Sequence, residues 1–125
     1  MAGSFSYRRI YEVKPPPHGG KRVLVDRLWP RGMSKERAHL DEWLREVAPS
    51  ADLREWYHHD PRLFAGFRDR YIAELGDADH RPAVEHLRDL AAHDRVTLLT
   101  ATKDLDHSEA AVLAEWLDNA GSAPT

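Results

Sequence analysis

Apolar residues come in two kinds of pattern along this chain. Short runs rich in β-branched residues alternate with stretches whose apolar residues recur every three or four positions, the signatures of strands and amphipathic helices. Phe5 to Glu12 alternates and predicts a first strand, near a sheet edge because it carries Arg8 and Arg9. Residues 13–21 (VKPPPHGGK) hold three prolines and two glycines, which fit neither helix nor central strand and predict an exposed loop. That loop is short for a parallel crossover, so strands one and two are expected to be antiparallel or non-adjacent. Arg22 to Leu28 reads as a second, buried strand, ended by Pro30-Arg31-Gly32.

Ser34 then reads as an N-cap. Leu40, Trp43, Leu44 and Val47 have helical spacing and predict a helix of about three turns. Pro49-Ser50 stops it and caps a shorter one with Leu53, Trp56 and Tyr57 on its apolar side. Asp60-Pro61 restarts a helix, striped by Phe64, Phe67, Tyr71 and Leu75 and stopped at Gly76. Pro82 opens another helix, with Val84, Leu87, Leu90 and Ala91 inward. Arg95 to Ala101 is a third strand. Asp106 and Glu109 have the spacing of a capping box, and Leu113, Trp116, Leu117 and Ala120 mark the last helix. Residues 121–125 read as a loose tail. The long helical connection lets strands two and three be parallel. The chain therefore predicts one small α/β domain, with a short, at least partly parallel sheet of about three strands and packed helices.

Composition narrows what such a domain can do. The 125 residues suffice for one domain with a core. The net charge of −3 provides no global field for nucleic acid. The chain has no cysteine, which excludes disulfides, thiol catalysis and cysteine metal sites. No apolar stretch approaches a membrane span, and the first residues lack the pattern of a signal peptide. The expectation is a cytoplasmic protein without a membrane or nucleic-acid partner and with no cofactor: no glycine-rich nucleotide loop occurs.

The second strand runs into Asp26, Arg27, Trp29, Pro30, Arg31 and Gly32. Ligands of α/β folds bind outside the carboxyl ends of strands. Arg27 and Arg31 there suit a forked clamp for phosphate or carboxylate, with Gly32 allowing close backbone approach and Trp29 forming a wall. Lys103 and Asp104 follow strand three and would join this cleft if the two strands are parallel neighbours. Tyr71 and Glu74, about one turn apart, are placed at its edge. Asp26 and His59 are the candidates for proton transfer, His59 pairing with Asp26 or Glu74. His58, His59 and His107 are weak candidates for a metal site with nearby carboxylates. Against this stands a structural reading. Arg27 and Arg31 then pair internally with Asp26, Glu74 or Asp104, Trp29 anchors an interface, and the domain is an interaction module or homodimer.

The strings VDRLWPRG, LREWYHHDP, FRDRY and TLLTATKD, with the Trp43–Ser50 stretch between the first two, stand in an order that resembles the YeaO-like family, domain of unknown function 488. The resemblance runs from about Tyr7 to Leu117. It implies a small cytoplasmic bacterial α/β protein and no particular reaction. The family's recurring residues fall on Asp26, Arg27, Trp29, Pro30, Arg31, Gly32, Trp43, Pro49, Ser50, Leu53, Trp56, His59, Phe67, Tyr71 and Glu74. Where family members often carry Asn-His-Ala before the last helix, this chain has His107-Ser108-Glu109-Ala110.

Overall fold

A computed structural model describes residues 5–11 and 20–122. Four strands, β1 (Phe5–Arg9), β2 (Lys21–Leu24), β3 (Glu42–Trp43) and β4 (Val96–Thr100), form one parallel sheet in the order β1-β4-β2-β3. β1 and β2 are non-adjacent, because β4 lies between them. Of the loop at residues 13–21, only Gly20 and Lys21 fall within the described residues, and Lys21 already belongs to β2. β4 is buried at all five positions, as a strand with neighbours on both sides and covered faces must be.

The helices are α1 (Lys35–Ala38), α2 (Ala51–Tyr57), α3 (Phe64–Leu75), α4 (Arg81–His93) and α5 (Glu109–Ser122). Val23, Val25, Val96 and Leu98 join the apolar stripes of α2 to α5 in the main core. Leu24 and Leu99, pointing to the other side, meet Met33 and Ala38, with Trp29 and Trp43 packed against them. This alternation follows from the period of two in a strand.

The largest departure from the sequence reading is between Ser34 and Val47. Ser34 does cap α1, accepting the Arg37 N–H at 3.1 Å. α1 then ends after one turn at His39, which is left-handed (φ 49°). The Arg22 guanidinium donates to the carbonyls of Ala38 (3.1 Å) and His39 (3.0 Å), satisfying acceptors that a longer helix would have kept for itself. The chain becomes the edge strand β3, and a short 3₁₀ turn follows at Arg45–Val47. Trp43 and Val47 are therefore not on one helix. Trp56 is also not a core residue: it is 36% exposed, with Arg70 stacked on its ring at 4.0 Å. No capping box forms before α5. The Ser108 hydroxyl takes the Ala111 N–H at 3.2 Å, Asp106 accepts from the Tyr7 hydroxyl at 3.4 Å, and Glu109 turns inward. α5 continues through Gly121 and Ser122, so only residues 123–125 of the expected tail lie beyond it, outside the described residues.

Candidate functional site

β2 and β4 are parallel neighbours with Leu24 opposite Leu99, so Asp26 and Ala101 leave the sheet side by side. Beyond β2 the chain turns to β3 on one side. Beyond β4 it enters α5, which packs against β1 on the other. The carboxyl ends of β2 and β4 therefore sit at a switch point, where diverging loops leave a crevice. A cleft of about 550 Å³ opens there.

Asp26 forms the inner part of this cleft. One carboxylate oxygen accepts the Thr100 hydroxyl at 2.7 Å and the other the Ala101 N–H at 2.8 Å. The backbone carbonyl of Asp26 takes the Trp43 indole N–H at 2.8 Å. Asp26 thus ties β2, β3 and β4 together. Beside it lies Glu109, with oxygens 3.3 and 3.4 Å from the Thr100 hydroxyl. Burial lifts the Glu109 carboxyl well above the usual carboxylate range, and the charge and hydrogen bonding of Asp26 lift it further. The Glu109 carboxyl therefore keeps its proton beyond the pH at which a free carboxyl loses it.

The opposite character gathers on the cleft's outer walls, where Arg27, Arg31, Arg54 and Lys103 all line the opening. Among the described residues, none of these four makes an ion pair with a carboxylate. The Nε atoms of Arg27 and Arg54 are buried without a hydrogen-bond partner. The internal pairing expected of Arg27 and Arg31 under the structural reading is thus not made: Asp26 is taken by β4, and Glu74 by Ser50 at 2.5 and 2.8 Å. Asp104 is bonded to His107 at 2.8 Å.

Trp29 stands in the cleft wall. Its indole N–H is spent on the Met33 carbonyl at 2.6 Å, and its ring meets Trp43 edge-on at 5.4 Å. Lys103, Asp104 and His59 also reach the cleft. His59 has φ 55° and lies beside Tyr57 with ring centroids 6.1 Å apart, and among the described residues it bonds neither Asp26 nor Glu74. The expected proton-transfer pair is not assembled. Gly32 serves a different purpose from the expected one: its φ is 75°, and a Cβ would meet nothing within 4 Å. Its value is the positive φ rather than a close approach. Tyr71 and Glu74 are not on the cleft wall. The Tyr71 hydroxyl is buried on the Val47 carbonyl at 2.6 Å, with burial first and nearby carboxylates second holding it far from ionisation. Among the described residues, no group of three or more histidine and carboxylate side chains has the geometry to hold a metal, although His58, His59 and His107 all line one smaller pocket together with Arg54 and Glu109.

Four contributors escape the sequence reading: Thr100, Glu109, Arg54 and Thr102. Glu109 has the spacing of a capping residue, and only the β4–α5 packing turns it inward. Arg54 stands in the LREWYHHDP string, and the signal was an arginine inside a short helix starting next to a strand end. Thr102 follows β4 as part of the TAT triplet, where small hydroxyl residues sit at a strand terminus.

The fold and cleft together define a small parallel α/β domain with a cation-walled, acid-floored crevice at its strand ends. The chain belongs to the YeaO-like DUF488 family: the model for the inactive DUF488-N3 subclade matches residues 4–124. An uncharacterised protein of Mycobacterium tuberculosis is 46% identical over 110 residues, covering 88% of this chain and 90% of its own length. An uncharacterised protein of Mycobacterium bovis matches to the same extent. YeaO of Escherichia coli is 42% identical over 110 residues, covering 88% of this chain and 93% of its own. No solved structure matches the chain.

Proposed function

We propose that the cleft binds a small anionic molecule, with Arg27, Arg31 and Arg54 as its principal donors and Lys103 as a further positive charge. The observation that carries this reading is the pair of buried, unpartnered Nε groups on Arg27 and Arg54 beside an open cavity. A buried donor without an acceptor costs roughly 1–3 kcal/mol, and an anion offsets that cost. Guanidinium forks also match the geometry of phosphate and carboxylate oxygens. Binding without turnover suits the matched subclade, whose description calls it inactive. It also suits His59, which among the described residues is bonded to no carboxylate.

The test is thermal unfolding against a panel of phosphate, sulfate and carboxylates. A ligand at about 100 times its dissociation constant adds roughly 2.7 kcal/mol of stability. Arg27→Ala is expected to fold, to melt near the wild-type temperature without ligand, and to lose that gain. A folded Arg27→Ala protein that keeps the full shift overturns the reading. So does one that unfolds for want of Arg27, since the side chain would then be structural.

A further inference from the structure

Resting on that reading, we propose that the ligand is a sugar phosphate, its phosphate on the arginines and its hydroxyl groups on Thr102 and the Asp26–Glu109 floor. Two observations lead there. The first is shape. Arg54, Thr102 and Glu109 line the cleft and also a second pocket of about 260 Å³ that adjoins it. The space within reach of the arginines thus exceeds a single anion. A lone tetrahedral anion held on the outer walls leaves the floor and the adjoining pocket uncovered.

The second is the distribution of protons. The single hydroxyl proton of Thr100 faces Asp26 Oδ1 at 2.7 Å, Thr102 Oγ1 at 3.1 Å, and the two Glu109 oxygens at 3.3 and 3.4 Å. The Thr102 hydroxyl donates in turn to Glu109 Oε1 at 3.4 Å, and the protonated Glu109 adds a third donor. Three side-chain protons thus serve the six oxygens of Asp26, Glu109, Thr100 and Thr102, and the floor still holds more acceptors than donors. A group that both donates and accepts completes it, and a hydroxyl does both. A second anionic group at that end would instead meet the Asp26 carboxylate. Charge and hydrogen bonding thus demand a ligand that is anionic at one end and neutral and hydroxylated at the other. A phosphomonoester of a polyol has that form.

Isothermal titration of the full chain with ribose 5-phosphate and methyl phosphate tests this. Ribose 5-phosphate is expected to bind about tenfold more tightly, as one or two extra hydrogen bonds allow. Thr102→Val is expected to remove most of that advantage while leaving methyl phosphate within about twofold of its wild-type affinity. Thr102→Ala serves if the valine variant does not fold. Equal wild-type affinities for the two esters overturn the sugar-phosphate inference and leave the anion reading standing. An advantage that survives at full size in the Thr102 variant overturns the role of the floor and with it the inference. If neither ester binds, the sugar-phosphate inference falls, and the anion reading is decided by the sulfate and carboxylate arms of the thermal panel.

Discussion

At the scale of single residues, Glu109 is where local spacing and final role diverge most. Three residues after Asp106, it has the position of a capping partner. A proton balance among Thr100, Asp26 and Glu109 is instead set by residues more than seventy positions apart, which no local window contains. Arg27, by contrast, was placed at the strand end by sequence alone, since it directly follows a buried strand, but its residue type left a ligand clamp and an internal ion pair equally open. The Glu109 shift has a consequence for stability. Unfolded, its carboxyl ionises near pH 4.3. Folded, burial and Asp26 keep it protonated to well above that. Across this window the native state holds a proton that the unfolded chain has released, so stability falls as pH rises, by up to about 1.4 kcal/mol per unit. Glu109→Gln removes this term. Urea denaturation at pH 5 and pH 7 should show the variant gaining on the wild type with rising pH. Parallel pH dependences of the two proteins would contradict a buried Glu109 that keeps its proton.

Among the elements, those stopped by local chemistry were readable and those stopped by distant chemistry were not. Asp60 accepts the Arg62 N–H at 3.0 Å and Ser50 caps α2, both as the residue types demand, and α3 ends at Gly76 as expected, though with right-handed backbone (φ −87°). α1 ends because Arg22, on a strand, claims its carbonyls, and the periodicity of Leu40, Trp43 and Val47 carries no trace of that. Ser50 shows how a cap can do two jobs. Its hydroxyl receives the Leu53 N–H at 3.2 Å and donates to Glu74 at 2.5 Å, joining α2 to α3. Ser50→Ala is expected to cost about 1–2 kcal/mol, as lost cap and lost charge-assisted bond. Chemical denaturation reads this directly, and phosphate affinity should hold, since Ser50 is off the cleft wall.

For the molecule as a whole, the α/β class and the parallel pairing of the central strands followed from the alternation of strand and helix patterns. The fourth strand did not, because β3 is two residues long and exists only by pairing with β2. A second pH-sensitive contact joins distant parts. The His80 ring lies between Asp77 and the carbonyl of Ala48, 2.9 Å from each. Burial disfavours the charged ring, but Asp77 and the Ala48 carbonyl outweigh it and raise its pKa, while His80 holds Asp77 below the usual carboxylate range. The stabilisation is complete below the unfolded value, near 6.5, and is lost as pH rises through the folded one. Asp77→Asn should flatten that loss, visible as a smaller drop in melting temperature between pH 6 and pH 8. An unchanged drop would show that the ion pair contributes nothing. With Glu109 acting in the same direction, the protein should be more stable just below neutrality than above it.

The order β1-β4-β2-β3 also bears on how the chain is made. Among the described strands β1 pairs only with β4, and Ser6 stands opposite Thr97 across 91 positions of sequence. A strand made well ahead of β2, β3 and β4 thus finds its partner last of the four. Synthesis at about 5–20 residues per second leaves that edge waiting for several seconds. Such distant pairing places the domain among slow folders. Until β4 arrives, β1 has no partner, β2 can pair only with the two-residue β3, and the crevice between β2 and β4 cannot exist, so a nascent chain halted before Val96 has no crevice at all.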